Sequence, residues 1–166
     1  MLEKILNAIN HYRVLLKYKI IYKEKLNVGR GIRFRGNSRF SISTNAEVMI
    51  GNNVFINDGC SINSRKSVVI GNDTIIGEGV KIYDHNHRFN KQMKKSQQGF
   101  SVAPVKIGSN CWIGSNVVIL KGVHIGNNTV IGAGVVLDKS VGSNKIVTAN
   151  RKIKIDKINY KINYKE

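Results

Sequence analysis

Cysteine and proline are scarce in this 166-residue chain, which has two cysteines and one proline. Cys60 and Cys111 have neither the spacing of a zinc site nor the number of a disulfide framework, so we expect reduced core thiols in a cytoplasmic protein. A single proline argues against long stiff linkers, and the length predicts one domain. Long apolar runs are also missing, because basic residues interrupt the N-terminal segment. Neither a secretory leader nor a membrane span is predicted there.

Acidic residues are few: ten Asp and Glu stand against 27 Lys and Arg, which gives a formal net charge of +17. The basic residues concentrate in the N-terminal segment, in residues 88–95 and in residues 145–165. Such a field attracts nucleic acid, anionic lipid, acidic polysaccharide or a phosphorylated cofactor. A surface simply decorated with solvated lysines accounts for the charge equally well, so charge identifies no site by itself.

What the chain has in abundance is a six-residue repeat. Aliphatic residues recur at this period, and seven of them are followed directly by glycine. Because residues two apart in a strand face the same side, each repeat offers two inward residues, such as Val117 and Ile119. Gly, Asn, Asp and Ser follow, and they tolerate a tight corner. A two-residue insertion breaks the period near Arg65 and Lys66. The aliphatic series are Ile50, Ile56, Ile62, then Ile70, Ile76, Ile82, then Ile107, Ile113, Ile119, Ile125, Ile131, Leu137.

A corner in every repeat predicts a triangular prism of about 18 residues per turn, in which Ile125 stacks on Ile107. The pattern resembles the hexapeptide-repeat acyltransferase family, and the resemblance covers roughly residues 28–150. It implies an all-β fold, a left-handed parallel β-helix, assembled as a homotrimer. Within this frame we expect a basic amphipathic helix in residues 1–27, the β-helix over 28–150 with a protruding loop at 83–104, and a basic tail over 151–166.

The predicted N-terminal helix has two interpretations. It can cap the open end of the prism, where unpaired strand edges invite aggregation. A basic amphipathic helix can also associate weakly with an anionic membrane surface.

The loop contains two histidines that suit acyl transfer, because moving an acetyl group to a hydroxyl needs a base near the acceptor. The family resemblance places the catalytic histidine five positions after the last aliphatic corner residue, Ile82, which is His87. The string Asn-His-Arg-Phe at 86–89 is similar to the Asn-His-Arg-Met of the xenobiotic acetyltransferase branch. The Asp-His-Asn-His string at 84–87 is similar to one in a polysaccharide-modifying branch, which makes His85 the competitor. We predict His87 as the general base and His85 as the alternative.

The resemblance also implies roles for residues on the repeats. Asn57 is expected near the acceptor, and Trp112 beside the pantetheine arm of CoA, where strand parity turns its side chain outward. The remaining residues are expected to contact CoA. They are Gly114, Ser115 (whose N–H would hold the thioester carbonyl), Ala133, Lys139, and the two basic residues Arg151 and Lys152. These last two replace the Gly-Asn-Pro-Ala-Lys ending of many family members, since this chain reads Ala-Asn-Arg-Lys-Ile at 149–153.

The leading functional hypothesis is an O-acetyltransferase with acetyl-CoA as co-substrate and a sugar hydroxyl of a polysaccharide or its precursor as acceptor. No metal and no specific nucleic-acid partner are expected. Acetylation of an amino-sugar nitrogen and a xenobiotic acetyltransferase are alternatives within the family. A γ-type carbonic anhydrase would use the same β-helix with His85, His87 and His124 on zinc, although their spacing does not match that family. A non-catalytic polyanion-binding scaffold is the alternative of another class.

Overall fold

A computed structural model describes residues 2–149 of the chain. Helix α1 (Leu2–Tyr22) and a short 3-10 helix (Lys23–Lys25) precede five coils of short strands and part of a sixth. The expected tail, with Arg151 and Lys152, lies outside the described residues. The coil strands are β1 (Leu26–Val28), β2 (Arg33–Phe34), β3 (Arg39–Ile42), β4 (Glu47–Ile50), β5 (Phe55–Ile56), β6 (Ser61–Ser64), β7 (Ser67–Ile70), β8 (Ile75–Ile76), β9 (Lys81–Tyr83), β12 (Val105–Ile107), β13 (Trp112–Ile113), β14 (Val118–Ile119), β15 (His124–Ile125), β16 (Val130–Ile131), β17 (Val136–Leu137) and β18 (Ile146–Val147). The segment between β9 and β12 carries β10 (His85–His87), a 3-10 helix (Lys95–Gln97) and β11 (Phe100–Val102).

Every coil contributes one strand to each of three parallel sheets. Sheet A contains β1, β4, β7, β12 and β15, sheet B contains β2, β5, β8, β13, β16 and β18, and sheet C contains β3, β6, β9, β14 and β17. The register places Ile107 beside Ile125, as the six-residue period predicts. The fold is therefore the expected left-handed parallel β-helix. Its three edges are named here by the sheets that they join: the A–B, B–C and C–A corners.

The interior is a column of aliphatic side chains with a few small polar ones. Isoleucines such as Ile76 and Ile113 are fully buried. The buried hydroxyl of Thr74 donates to the carbonyl of Gly108 on the next coil (2.9 Å). The free thiols Cys60 and Cys111 occupy equivalent inward positions, as predicted, and burial raises the pKa of Cys60 to about 11. Small donors at this position thus satisfy carbonyls of the neighbouring coil inside an otherwise apolar core.

Stacked corners leave little room for side chains. At the A–B corner, an asparagine or aspartate such as Asn53 or Asp73 adopts positive φ in every coil after the first, where Gly31 takes this position. From the first coil to the fifth, the glycine that begins this turn lies against the next coil. A Cβ at Gly71 would lie 2.6 Å from both the carbonyl carbon of Gly108 and the backbone nitrogen of Ser109. Glycine follows the corner aliphatic residue because backbone fills the space that a methyl group would need.

Helix α1 packs across the open end of the first coil. Val14 and Tyr18 are buried, and the Tyr18 ring packs edge-on against Phe40. The Phe34 N–H donates to Nδ1 of His11 (3.3 Å), and burial lowers the pKa of His11. The helix therefore covers the apolar end of the prism. No helix within residues 2–149 is both long and apolar enough to cross a membrane.

Substitution of Gly71 by alanine tests the stacking of the corners. The added methyl group meets backbone atoms that cannot swing away, so Gly71→Ala should lower the free energy of unfolding by about 1–3 kcal/mol. Gly142 begins the same kind of turn on the last coil, where a Cβ would meet no atom of the described residues within 4 Å. Gly142→Ala should change stability by less than about 0.5 kcal/mol. Urea unfolding measures both, and equal losses would refute the close-approach explanation.

Candidate active site

Part of the protruding loop is an ordered antiparallel ribbon. Strands β10 and β11 pair His85 with Val102 and His87 with Phe100. Alternate residues of a strand share a face, so the two histidines lie on the same side of the ribbon. Both rings contact Phe100, with centroids 5.4 Å away for His85 and 4.3 Å for His87. The ribbon thus brings both predicted base candidates onto one surface at the C–A corner.

The buried side chain of Asp84 anchors the base of the ribbon. Its carboxylate is inaccessible to solvent and accepts the Ser64 hydroxyl at 2.9 Å. It also accepts the backbone N–H groups of Arg65 (2.8 Å), Lys66 (2.7 Å) and Ser67 (2.9 Å). The two-residue insertion recognised in the sequence provides two of these donors. Because a buried carboxylate is stable only when its oxygens are hydrogen-bonded, this corner holds Asp84 in one position.

The same carboxylate contacts His85. Oδ1 of Asp84 lies 3.0 Å from Nδ1 of His85, whose side chain is 18% exposed. A hydrogen bond at Nδ1 fixes the ring orientation and leaves Nε2 for another partner. His87 is exposed, and its contact among the described residues is with the Phe100 ring. Two sequence features could have predicted this arrangement: an aspartate directly before a histidine, and an insertion one coil earlier. The two features are about twenty residues apart in the sequence, so their contact is not evident without the fold.

The Phe100 ring also makes a cation–π contact with a basic side chain beside the histidines. The Arg65 guanidinium lies over the ring, 3.4 Å from its centroid. Further along the ribbon, the buried side chain of Gln98 holds the tip by bonding the Lys91 N–H and the carbonyls of Lys91 and Met93. The surface next to the histidines is therefore positively charged and structurally defined, which suits an anionic ligand.

The B–C corner differs from the A–B corner in how a backbone N–H of the fourth coil is paired. At the A–B corner, the N–H of Ser109 donates to the Asn127 side chain of the next coil (2.8 Å). The equivalent residues at the B–C corner are Ser115 and, one coil later, Ala133, whose methyl group cannot accept. Within the described part of the chain, the Ser115 N–H has no acceptor. This half-buried donor is available to a carbonyl oxygen of a ligand.

Asn57 lies on the same corner, two coils before Ser115. Its Oδ1 accepts the N–H of Asp58 (2.8 Å). The residue lines a cavity of about 430 Å³ together with Arg35, Asp58 and Glu78. Gly114 directly precedes Ser115 on the same coil, and a Cβ there would be 2.6 Å from the Ala133 nitrogen of the next coil. Asn57, Gly114, Ser115 and Ala133 are thus brought together along one edge of the prism.

Trp112 faces outward from sheet B, as strand parity predicts, and is 56% exposed. Its partners in register are Ile75 and Val130, which also face outward. They belong to a row of apolar side chains that we call the sheet B stripe: Phe55, Ile75, Trp112, Val130 and Ile146.

The predicted site residues do not lie together within one chain. His85, His87 and the exposed Lys139 lie at the C–A corner, which is across the triangular core from sheet B and Trp112. His124 lies apart from the ribbon, on the outer face of sheet A. Among residues 2–149, no three His, Cys, Asp or Glu side chains are grouped to hold a metal ion. Within one chain, the histidines and the B–C corner therefore lie on different edges of the prism.

Comparison with known proteins identifies the class. The sequence model of the bacterial transferase hexapeptide family (six repeats) matches residues 104–139. A galactoside acetyltransferase in complex with coenzyme A is 31% identical, with 95% of this chain and 79% of that chain covered and a TM-score of 0.72. This chain therefore belongs to the hexapeptide-repeat transferases.

Other solved structures share the fold. A hexapeptide-repeat acetyltransferase from Vibrio cholerae O1 biovar eltor, complexed with acetyl coenzyme A, is 22% identical over 92% of this chain and 86% of that chain, with a TM-score of 0.70. A polySia-specific acetyltransferase is 26% identical over 86% of this chain and 66% of its own, with a TM-score of 0.59. No curated protein sequence matches.

Replacing Asp84 by asparagine tests the anchor of the ribbon. The amide Nδ2 would face backbone donors, so Asp84→Asn should lower the free energy of unfolding by about 2–4 kcal/mol. Asp73→Asn is the matched control, because Asp73 occupies an A–B corner position that asparagine fills on other coils. Its cost should stay below about 0.5 kcal/mol. Denaturant unfolding of both variants checks this, and an Asp84 variant as stable as the control would contradict the anchoring role.

Proposed function

We propose that the chain is an acetyl-CoA-dependent O-acetyltransferase that modifies a sugar hydroxyl of a polysaccharide or its precursor. The observation that carries the proposal is His85, oriented by the buried Asp84 on the ribbon of a hexapeptide-repeat transferase. The 31% identical relative is a galactoside acetyltransferase with coenzyme A, which supports both the co-substrate and a sugar acceptor. The open N–H of Ser115 supplies the second requirement of acyl transfer, a donor for the carbonyl oxygen.

Acetyl-CoA supplies the acetyl group as a thioester. Nε2 of the base takes the proton of the acceptor hydroxyl while that oxygen attacks the thioester carbonyl. The Ser115 N–H donates to the carbonyl oxygen as negative charge develops there. The carbon–sulfur bond then breaks, and the imidazolium returns its proton to the departing thiolate.

The contacts of His85 support it as the base. A carboxylate at Nδ1 fixes the tautomer that leaves Nε2 unprotonated and stabilises the imidazolium formed in the reaction. The register-based assignment to His87 remains a competing prediction, since His87 lies on the same face of the ribbon. In the present proposal His87 contacts the acceptor, and Asn57 helps to place the sugar.

We propose that the active site forms between copies of the chain in a homotrimer. The sheet B stripe supports this, because Ile75 and Trp112 are about half exposed and adjacent in register. Apolar side chains in a continuous row indicate a contact surface. Trp112 at such a contact would lie beside the CoA arm, with Gly114, Ser115 and Ala133 on the same chain and Lys139 contributed by the C–A corner of a neighbouring copy. Arg151 and Lys152 remain proposed phosphate ligands.

Alanine variants of the two ribbon histidines decide which one is the base. His85→Ala should lower kcat by about 10²–10⁴-fold, whereas His87→Ala should cost about tenfold or less. Acetyl-CoA binding, measured by calorimetry, should change little in either variant. His124→Ala, on the outer face of sheet A, is the control and should retain full activity. The opposite ranking would assign the base to His87, and two active variants would refute histidine catalysis.

Sedimentation velocity tests the assembly. The wild-type chain should sediment as a trimer at micromolar concentration. Ile75→Asp places a charge in the sheet B stripe and should shift the protein towards monomer, because burying an unpaired carboxylate is costly. Met49→Asp makes the same change at a 37% exposed position on sheet A and should leave the trimer intact. A wild-type monomer would overturn the intersubunit site.

A further inference from the structure

Helix α1 has a second apolar face that capping does not use. Four aliphatic side chains on it, here called the α1 stripe, are exposed: Leu6 (50%), Ile9 (56%), Leu16 (63%) and Ile20 (65%). Leu16 is two residues from each of the buried Val14 and Tyr18, which is about 200° around the helix. The stripe therefore points away from the coil that the helix covers.

Basic side chains border the α1 stripe. Lys17 and Lys19 lie on either side of Leu16 around the helix, about 65° and 95° respectively from the stripe's centre line. From residue 2 to residue 25 the sequence has six basic and two acidic residues. Tyr12, 68% exposed, adds an aromatic ring with a polar hydroxyl at the edge of the same face. Apolar, aromatic and cationic groups in this order are typical of helices that lie in a membrane interface.

We propose that α1 docks the protein on an anionic membrane surface, with the α1 stripe in the headgroup–acyl boundary and the flanking lysines on lipid phosphates. The helix would lie parallel to the surface. The inference is independent of the acetyltransferase proposal, because it uses no residue of the ribbon or of the B–C corner.

Charge favours a membrane over the other apolar surfaces available to the stripe. The C-terminal segment of residues 150–166 has six basic and two acidic residues, so its net positive charge would repel the basic helix α1. A second copy of α1 would do the same. An anionic bilayer offers an apolar phase for the aliphatic side chains and opposite charge for the lysines at once.

Co-sedimentation with vesicles tests the proposal. The full chain should bind phosphatidylglycerol-containing vesicles, bind pure phosphatidylcholine vesicles at least about tenfold more weakly, and dissociate as NaCl rises to about 0.5 M. The double variant Ile9→Ser, Leu16→Ser should weaken binding to the anionic vesicles by at least about tenfold, since two large aliphatic side chains are removed from the interface. The double variant Lys17→Gln, Lys19→Gln should weaken binding by a similar factor and reduce its salt dependence.

Val136→Ser is the matched control, since Val136 is 55% exposed on the outer face of sheet C, far along the chain from α1. It should bind vesicles as the wild type does. Absence of wild-type binding would overturn the proposal. Binding that survives the Ile9→Ser, Leu16→Ser change would also overturn it, and would assign the interaction to another basic region. A changed sedimentation coefficient in that variant without vesicles would identify the stripe as a contact between copies and equally refute membrane docking. Transferase activity, assayed separately with a water-soluble acceptor, should be the same in all of these variants.

Discussion

The narrow interior of the triangular coil is the constraint on which the structure depends. It accepts two inward side chains from each six-residue repeat, so backbone from one coil must rest directly on backbone from the next. Gly71 against Gly108 shows how close this approach is. Equivalent residues of successive coils lie above one another. Residues that share a corner position in the repeat therefore line the same edge of the prism. Each edge can then carry its own chemistry.

The same stacking explains why a two-residue insertion matters. Adding Arg65 and Lys66 to one corner opens a turn whose N–H groups donate to a side chain of the next coil, the carboxylate of Asp84, and not to its backbone. The chain leaves the prism directly afterwards, so His85 begins the ribbon with its ring already held. The irregular corner thus anchors the start of the loop and orients a candidate base.

Separate edges keep the predicted site residues apart within one chain. The ribbon histidines and the open N–H of Ser115 lie at different corners, and the sheet B stripe provides an apolar surface through which copies can join. Helix α1 adds a further surface at the end of the prism, where assembly around an axis parallel to the coil would place several copies of the α1 stripe on one side. Several weak contacts with a membrane would then act together.

The sequence by itself determined the coil, the inward cysteines, the outward Trp112 and the place where the loop leaves, because each follows from a fixed period that the backbone cannot alter. The family resemblance also led to His87, by counting five residues on from Ile82. Only the tertiary structure joined Asp84 to the insertion and to His85, because that contact spans one coil and depends on which N–H groups a neighbouring turn leaves unpaired. It likewise decided that the predicted site residues fall on different corners, since closure of the triangle sets their separation.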